Sequence, residues 1–376
     1  RSLVGIFLFG IQTYFLSKLV VYLIRILLFS IDNTLLDQEI FLTFLLGLNL
    51  IDWFSIIVVI IFQTMLFSIG IQYNKKLINY SAIIVYVGMV IFFLTVFLSD
   101  VKTTTQAFSN ILNFENLLNK NNILPLLTVA GTIFAYFSII IVSFGDFSRY
   151  VKNKEDLNKG NLSLILNLII FSFFSIAIVV GSDVFLNQKF QDMDRIFTNP
   201  TDIIGKFNNL QITIVVLFFI IIASASTNLV ANYIPSQYSL INFLPNKLNL
   251  KSSSYTISIL GLIVGIFWLT VLSQIGVLSF IDTFSCFFGP LFGVIIADYY
   301  LIKNQTLSNK DLYSVETQSI YYYSRGWHIK GTYSIILGFI FSASTIWNGN
   351  LMFLQSYAWI IGAFTSWVTY YLLAKK

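Results

Sequence analysis

"IVVLFFIII", residues 214–222, runs straight into "ASASTNLVANYIP", residues 223–235. The first stretch is pure hydrocarbon, whereas seven of the next thirteen positions are Ser, Thr, Asn, Tyr or Pro. A polar group left unpaired in lipid is strongly unfavourable, so such a cluster at membrane depth faces protein, a ligand or a water-filled pathway. Small residues and hydroxyls also serve to pack helices against each other. Both readings place this stretch within a membrane span.

The rest of the chain agrees. It is 57% hydrophobic and 10% charged, with mean hydropathy +0.81, against about 25% charged residues in soluble domains. About 20 apolar helical residues cross the hydrocarbon core and satisfy their own backbone hydrogen bonds. On that basis spans are expected at 3–24, 49–71, 78–98, 123–144, 162–182, 210–233, 255–274, 277–302, 331–347 and 352–373. The alternation of a β-barrel is absent, so the fold class is an all-α polytopic membrane protein. The chain opens on Arg1 almost inside a span, which suggests that sequence precedes it.

Charge gives the orientation. Fifteen basic residues fall in loops on one side, including Lys75, Lys76, Arg149, Lys152, Lys154, Lys159, Lys375 and Lys376. The other side has five: Lys102, Lys120, Lys189, Arg195 and Lys206. The positive-inside rule then places the C-terminus in the cytoplasm. The net charge of +5 follows from this topology, and no basic-aromatic patch calls for nucleic acid. The one cysteine, Cys286, forms no internal disulfide.

Three polar clusters stand out. Ala223, Ser226 and Thr227 are spaced i, i+3, i+4 on one helical face, where oxygens can meet a small hard cation. Asn232, about 140° further round an ideal helix from Thr227, addresses a different direction. Pro235 lacks an N–H and loosens the helix near Ala231. In "FGIQTY", residues 9–14, Gln12 lies mid-span, and Gly10 beside it permits close backbone approach. Carboxamides such as Gln12 and Asn232 offer a donor and an acceptor to a planar amide, or else link helices. Lys18 needs a partner, with Asp52 and Asp282 as candidates. In "SFGDFSRY", residues 143–150, Asp146 and Arg149 are spaced to pair, and "IFAYF" upstream places Phe134, Tyr136 and Phe137 mid-span. Their rings offer faces to a flat heterocycle, or simply to lipid and core.

Four stretches carry a resemblance: "RSLVGIFLFGIQTY" (1–14), "GDFSRY" (145–150), "ASASTNLVANYIPSQYSLINFLP" (223–245) and "FFGPLFGVIIADYYLIKNQTLSNKDLY" (287–313). In this order they resemble the third helix, the end of the sixth, the eighth and the tenth helix of nucleobase:cation symporter family one. That group includes hydantoin, allantoin and uracil permeases.

The resemblance implies a leucine-transporter-like inverted-repeat fold, of which ten of twelve transmembrane helices are present, although no repeat is visible in the sequence itself. Residues 1–99 would complete the first repeat (helices three to five), 123–303 would form the second (helices six to ten), and 328–376 the two C-terminal helices. It further implies cation-coupled uptake of a small planar nitrogen heterocycle across the inner (plasma) membrane. The coupling ion would be sodium or a proton, with no cofactor. Ala223, Ser226 and Thr227 match the sodium site; Gln12 and Asn232 match the substrate amides; Phe137 matches a stacking aromatic, with Phe134 and Tyr136 beside it.

Some positions depart from the family pattern. Leu8 stands where a stacking Trp is usual, leaving Phe7 or Phe9 to replace it. Lys18 stands where an uncharged or acidic residue is usual, and Tyr238-Ser239 replaces Asn-Asp. Proton coupling would use Asp282, an intramembrane carboxyl. An intramembrane enzyme would need convergent catalytic groups. The only histidine, His328, reads as an interfacial residue, and no His-Glu pair, Cys-His pair or glycine-rich phosphate loop accompanies it. The sequence says nothing of oligomeric state.

Overall fold

The structure is a computed structural model that describes residues 1–68, 71–98, 100–113, 115, 119–189, 203, 206, 209–274, 277–312, 314 and 316–375. Residues 69 and 70 of the expected second span, Arg195 and Lys376 of the charge count, and Tyr313 of the last motif lie outside the described residues.

Ten helices among the described residues are long and apolar enough to cross a membrane, and no β-strand occurs among them. Their main α-helical segments are α1 (Ser2–Ile31), α2 (Leu50–Ser68), α3 (Ile71–Phe97), α4 (Lys120–Val142), α5 (Lys154–Lys189), α6 (Leu210–Thr227), α7 (Leu250–Phe267), α8 (Val277–Ile296), α9 (Ile329–Trp347) and α10 (Ala358–Ala374), the last entered through a 3-10 helix over Gly349–Tyr357. Each expected span coincides with one of them. Several run past the apolar window, because hydropathy measures the hydrocarbon layer while a helix continues into the interface. The 36 residues of α5, at about 1.5 Å each, are the clearest case.

Helix starts follow from capping chemistry. The Asn49 side chain accepts from Asp52 N–H at 2.9 Å, and Asp52 accepts from Asn49 N–H at 3.1 Å, which fixes the start of α2. Asn249 and Ser252 form the same reciprocal box at α7. Three spans end in π-helical turns, at Asn228–Tyr233, Trp268–Leu272 and Ala297–Ile302. After the first, the chain continues as a helix over Ile234–Phe243.

Packing groups the chain into two compact units: Arg1–Leu117 with Arg149–Gln274, and Leu118–Ser148 with Ile275–Lys376. In the first, α1 is the hub and packs on α2, α6 and α7. A Cβ at Gly10 would stand 2.5 Å from the carbonyl oxygen of Gly261, so the α1–α7 approach requires glycine there. Phe9, Phe67 and Tyr233 fill the core at one level, and Leu16, Val59, Val96 and Leu217 at another. The second unit packs α4, α9 and α10 around α8. Ser366 donates to the carbonyl of Pro290 at 2.8 Å, where proline interrupts the backbone ladder of α8. Outward faces remain apolar: Leu162, Leu164, Ile165 and Ile169 of α5 are all exposed, as a lipid solvent requires.

Candidate functional site

Three residues spaced four apart, Ser224, Asn228 and Asn232, turn one stripe of α6 and its π turn toward α1. The Asn232 amide donates to Gln12 Oε1 at 2.8 Å and to Asn228 Oδ1 at 3.0 Å. Gln12 Nε2 donates to the carbonyl of Ser224 at 3.2 Å. Asn228 Nδ2 donates to Thr13 Oγ1 at 3.1 Å and to the Phe9 carbonyl at 3.3 Å. Thr13 in turn donates to Gln63 Oε1 at 2.9 Å, and Gln63 Nε2 is buried without a partner among the described residues. The expected amides of α1 and α6 are therefore brought together across 220 positions of sequence.

The arrangement leaves one group of each kind unengaged. Among the described residues, neither Asn232 Oδ1 nor the second N–H of Gln12 has a hydrogen-bond partner. An acceptor beside a donor complements the N–H and C=O edge of a lactam or imide.

The hydroxyl cluster lies on the neighbouring face. Ser226 and Thr227 both donate to the carbonyl of Ala223, at 3.0 and 2.8 Å. These are the back-bonds that helical hydroxyls commonly make, and they bring three oxygens together within one turn. The Pro235 expectation locates the distortion well: Ile234 N–H reaches back to Leu229 O across five residues, which is the π turn itself.

Lys18 chooses between its candidates by pairing with Asp52 at 2.8 Å. Phe9 is fully buried against Tyr233, with ring centroids 5.5 Å apart, so its ring belongs to the core and does not replace a stacking wall at position 8. Arg149 lies 3.7 Å over the ring of Tyr238, which explains a tyrosine at that departure from the family pattern. The second unit holds Phe134, Tyr136 and Phe137. There Phe134 stacks on Trp359 at 5.9 Å, and Tyr136 and Phe137 meet edge to face at 5.5 Å.

His328 caps α9: its Nδ1 accepts from Gly331 N–H at 3.0 Å, and burial pushes its pKa below the usual value while Asp298 partly offsets this. The ring is thereby engaged in structure. Among the described residues no three His, Cys, Asp or Glu side chains group as metal ligands.

The sequence reading missed Asn228, Thr13 and Gln63. The repeat of Asn at 228 and 232, four apart on one face, was the available signal.

Residues 1–362 match a family model described as permease for cytosine/purines, uracil, thiamine, allantoin. The chain is 25% identical over 255 residues to a purine-uracil permease of Arabidopsis thaliana, covering 64% of this chain and 41% of that one. It is 27% identical over 244 residues to an allantoin permease of Bacillus subtilis, covering 65% and 48%. The chain therefore spans about half the length of the curated relatives it matches, and the family model and these relatives are described as permeases. Among solved structures it resembles Mhp1, a nucleobase-cation-symport-1 family transporter in a closed conformation with bromovinylhydantoin bound. The TM-score is 0.68 at 18% identity, over 99% of this chain and 73% of that one. That likeness shows the fold, a leucine-transporter-like arrangement of membrane helices.

Proposed function

Since the chain belongs to the family of permeases for cytosine/purines, uracil, thiamine and allantoin, we propose that it acts in secondary active transport, taking up a small planar nitrogen heterocycle together with a cation. In this reading Gln12 and Asn232 hold the amide edge of the substrate, and Ala223, Ser226 and Thr227 bind sodium as the coupling ion. Phe137, with Phe134 and Tyr136 beside it, keeps a stacking role on sequence grounds. The inverted-repeat boundaries at 1–99 and 123–303, the plasma-membrane location and the cytoplasmic C-terminus belong to the same proposal.

The observation that supports it most is the pair of carboxamides at 2.8 Å with one acceptor and one donor still unengaged. An unengaged acceptor and donor on two neighbouring carboxamides are available to a ligand that presents the complementary pair. Coupling here is differential affinity: sodium promotes uptake only as far as it favours the binding-competent state, and substrate favours sodium equally.

The test is uptake by the full-length protein. We expect Asn232→Ala to reduce uptake at least about tenfold, the scale of 1–2 kcal/mol for a lost hydrogen bond and a stranded partner. Thr227→Ala should raise the sodium concentration for half-maximal uptake by about the same factor. Unaltered uptake in the first variant together with an unaltered sodium response in the second would overturn the site.

Proton coupling is the second reading. Asp282 accepts from Gln355 at 2.9 Å, and no Lys, Arg or His among the described residues lies within ion-pair distance of it. A carboxyl held by a neutral partner inside a span is a candidate proton carrier. Uptake measured against sodium at fixed pH separates the two ions.

A further inference from the structure

A cavity of about 630 Å³ is lined by Tyr14, Lys18, Tyr22, Arg25, Asp52 and Ser224 among others. Four of these, at 14, 18, 22 and 25, form one stripe along α1. Ser224 joins this cavity to the site, because its carbonyl receives Gln12 Nε2. Lys18 lies about 9 Å along the helix from Gln12, and Arg25 about 10.5 Å further.

The charge that faces this cavity is positive. Asp52 is paired to Lys18, yet its side chain is only 5% exposed, against 29% for Lys18. Both carboxylate oxygens are occupied, Oδ1 by Lys18 and Oδ2 by the backbone N–H of Asn49. The ammonium of Lys18 has three N–H groups, and Asp52 takes one. Tyr14 supports the same ammonium from 5.2 Å, which holds it in place without neutralising it. Arg25 is exposed and takes part in no ion pair among the described residues. The cavity wall thus carries the Lys18–Asp52 ion pair, Arg25 with no ion-pair partner among the described residues, and aromatic rings, so its net charge is positive.

We propose that this cavity is an anion-selecting vestibule and that the heterocycle delivered to Gln12 and Asn232 bears a negative charge, such as a carboxylate on the ring. The proposal rests on the transporter reading above and narrows its substrate class. Lys18 and Arg25 act as specificity determinants: a point charge and a planar fork, each suited to a carboxylate.

The experiment compares matched probes in the full-length protein: uracil with uracil-6-carboxylate, and hydantoin with hydantoin-5-acetate, by uptake and by equilibrium binding. In the unaltered protein we expect the charged member of a pair to be preferred about tenfold, equivalent to about 1.4 kcal/mol. In Arg25→Gln the preference should fall toward parity. The paired change Lys18→Met with Asp52→Asn, which strands no buried charge, should do the same. The preference is a ratio within each variant, so a general loss of folded protein cancels from it. Equal or better handling of the neutral member, or a ratio that Arg25→Gln leaves intact, overturns the vestibule alone, and Arg25 is then an interfacial anchor. Failure of all four probes to bind or enter overturns the transporter reading and the vestibule with it.

Discussion

Asn228 sits where two polar chains meet. It accepts from Asn232 and donates to Thr13, which donates to Gln63, so each amide or hydroxyl polarises the next. Thr13 is fully buried, and the Gln63 amide nitrogen already lacks a partner among the described residues. Thr13→Val keeps the volume and removes both bonds, leaving Asn228 one acceptor short and the Gln63 side chain without any partner. We expect a loss of about 1–3 kcal/mol, read as a lower thermal midpoint in detergent, and several-fold weaker substrate binding. Thr13→Ser should restore both; an unchanged midpoint in the valine variant would show the chain to be ornamental. The residue-scale reading was legible for Gln12 and Asn232, since a carboxamide in hydrocarbon demands a partner wherever it lies. Asn228 escaped it because its neighbours Ser226 and Thr227 already supplied a reason for polarity.

Among the elements, α1 governs the site because it carries Gln12, Thr13 and Lys18 and packs on three other spans. Its approach to α7 depends on Gly10 facing Gly261. Gly10→Ala forces a methyl against a backbone carbonyl that has nowhere to move, and overpacking of this kind destabilises by about 1–3 kcal/mol. Gly160, within α5, has nothing within 4 Å of where a Cβ would stand. Gly160→Ala should instead stabilise by about 0.5–1 kcal/mol, because alanine is the better helix former. Thermal unfolding of the two variants side by side checks the opposite signs. Helix existence was readable throughout, from length and hydropathy. The π turn at Asn228–Tyr233 was readable only as a weakening near Pro235, because which carbonyl finds a donor five residues on depends on the packing around it.

For the whole molecule, topology is the property that labelling can decide. Cys286 is buried and provides a silent background for cysteine chemistry. Lys152 and Lys102 are both exposed, in segments between spans that the proposed orientation puts on opposite sides of the membrane. A membrane-impermeant maleimide should label Lys102→Cys in intact cells and Lys152→Cys only after permeabilisation; the reverse order would invert the proposed orientation. By itself the sequence determined the solvent, the ten spans and the family, because each of these is written in local composition and short motifs. Only the tertiary structure decided that Lys18 pairs with Asp52, that Phe9 fills the core, and that Asn228 completes the amide cluster. Those outcomes depend on which faces of α1, α2 and α6 meet, and hydropathy is blind to partners because lipid and packed protein are equally apolar to it.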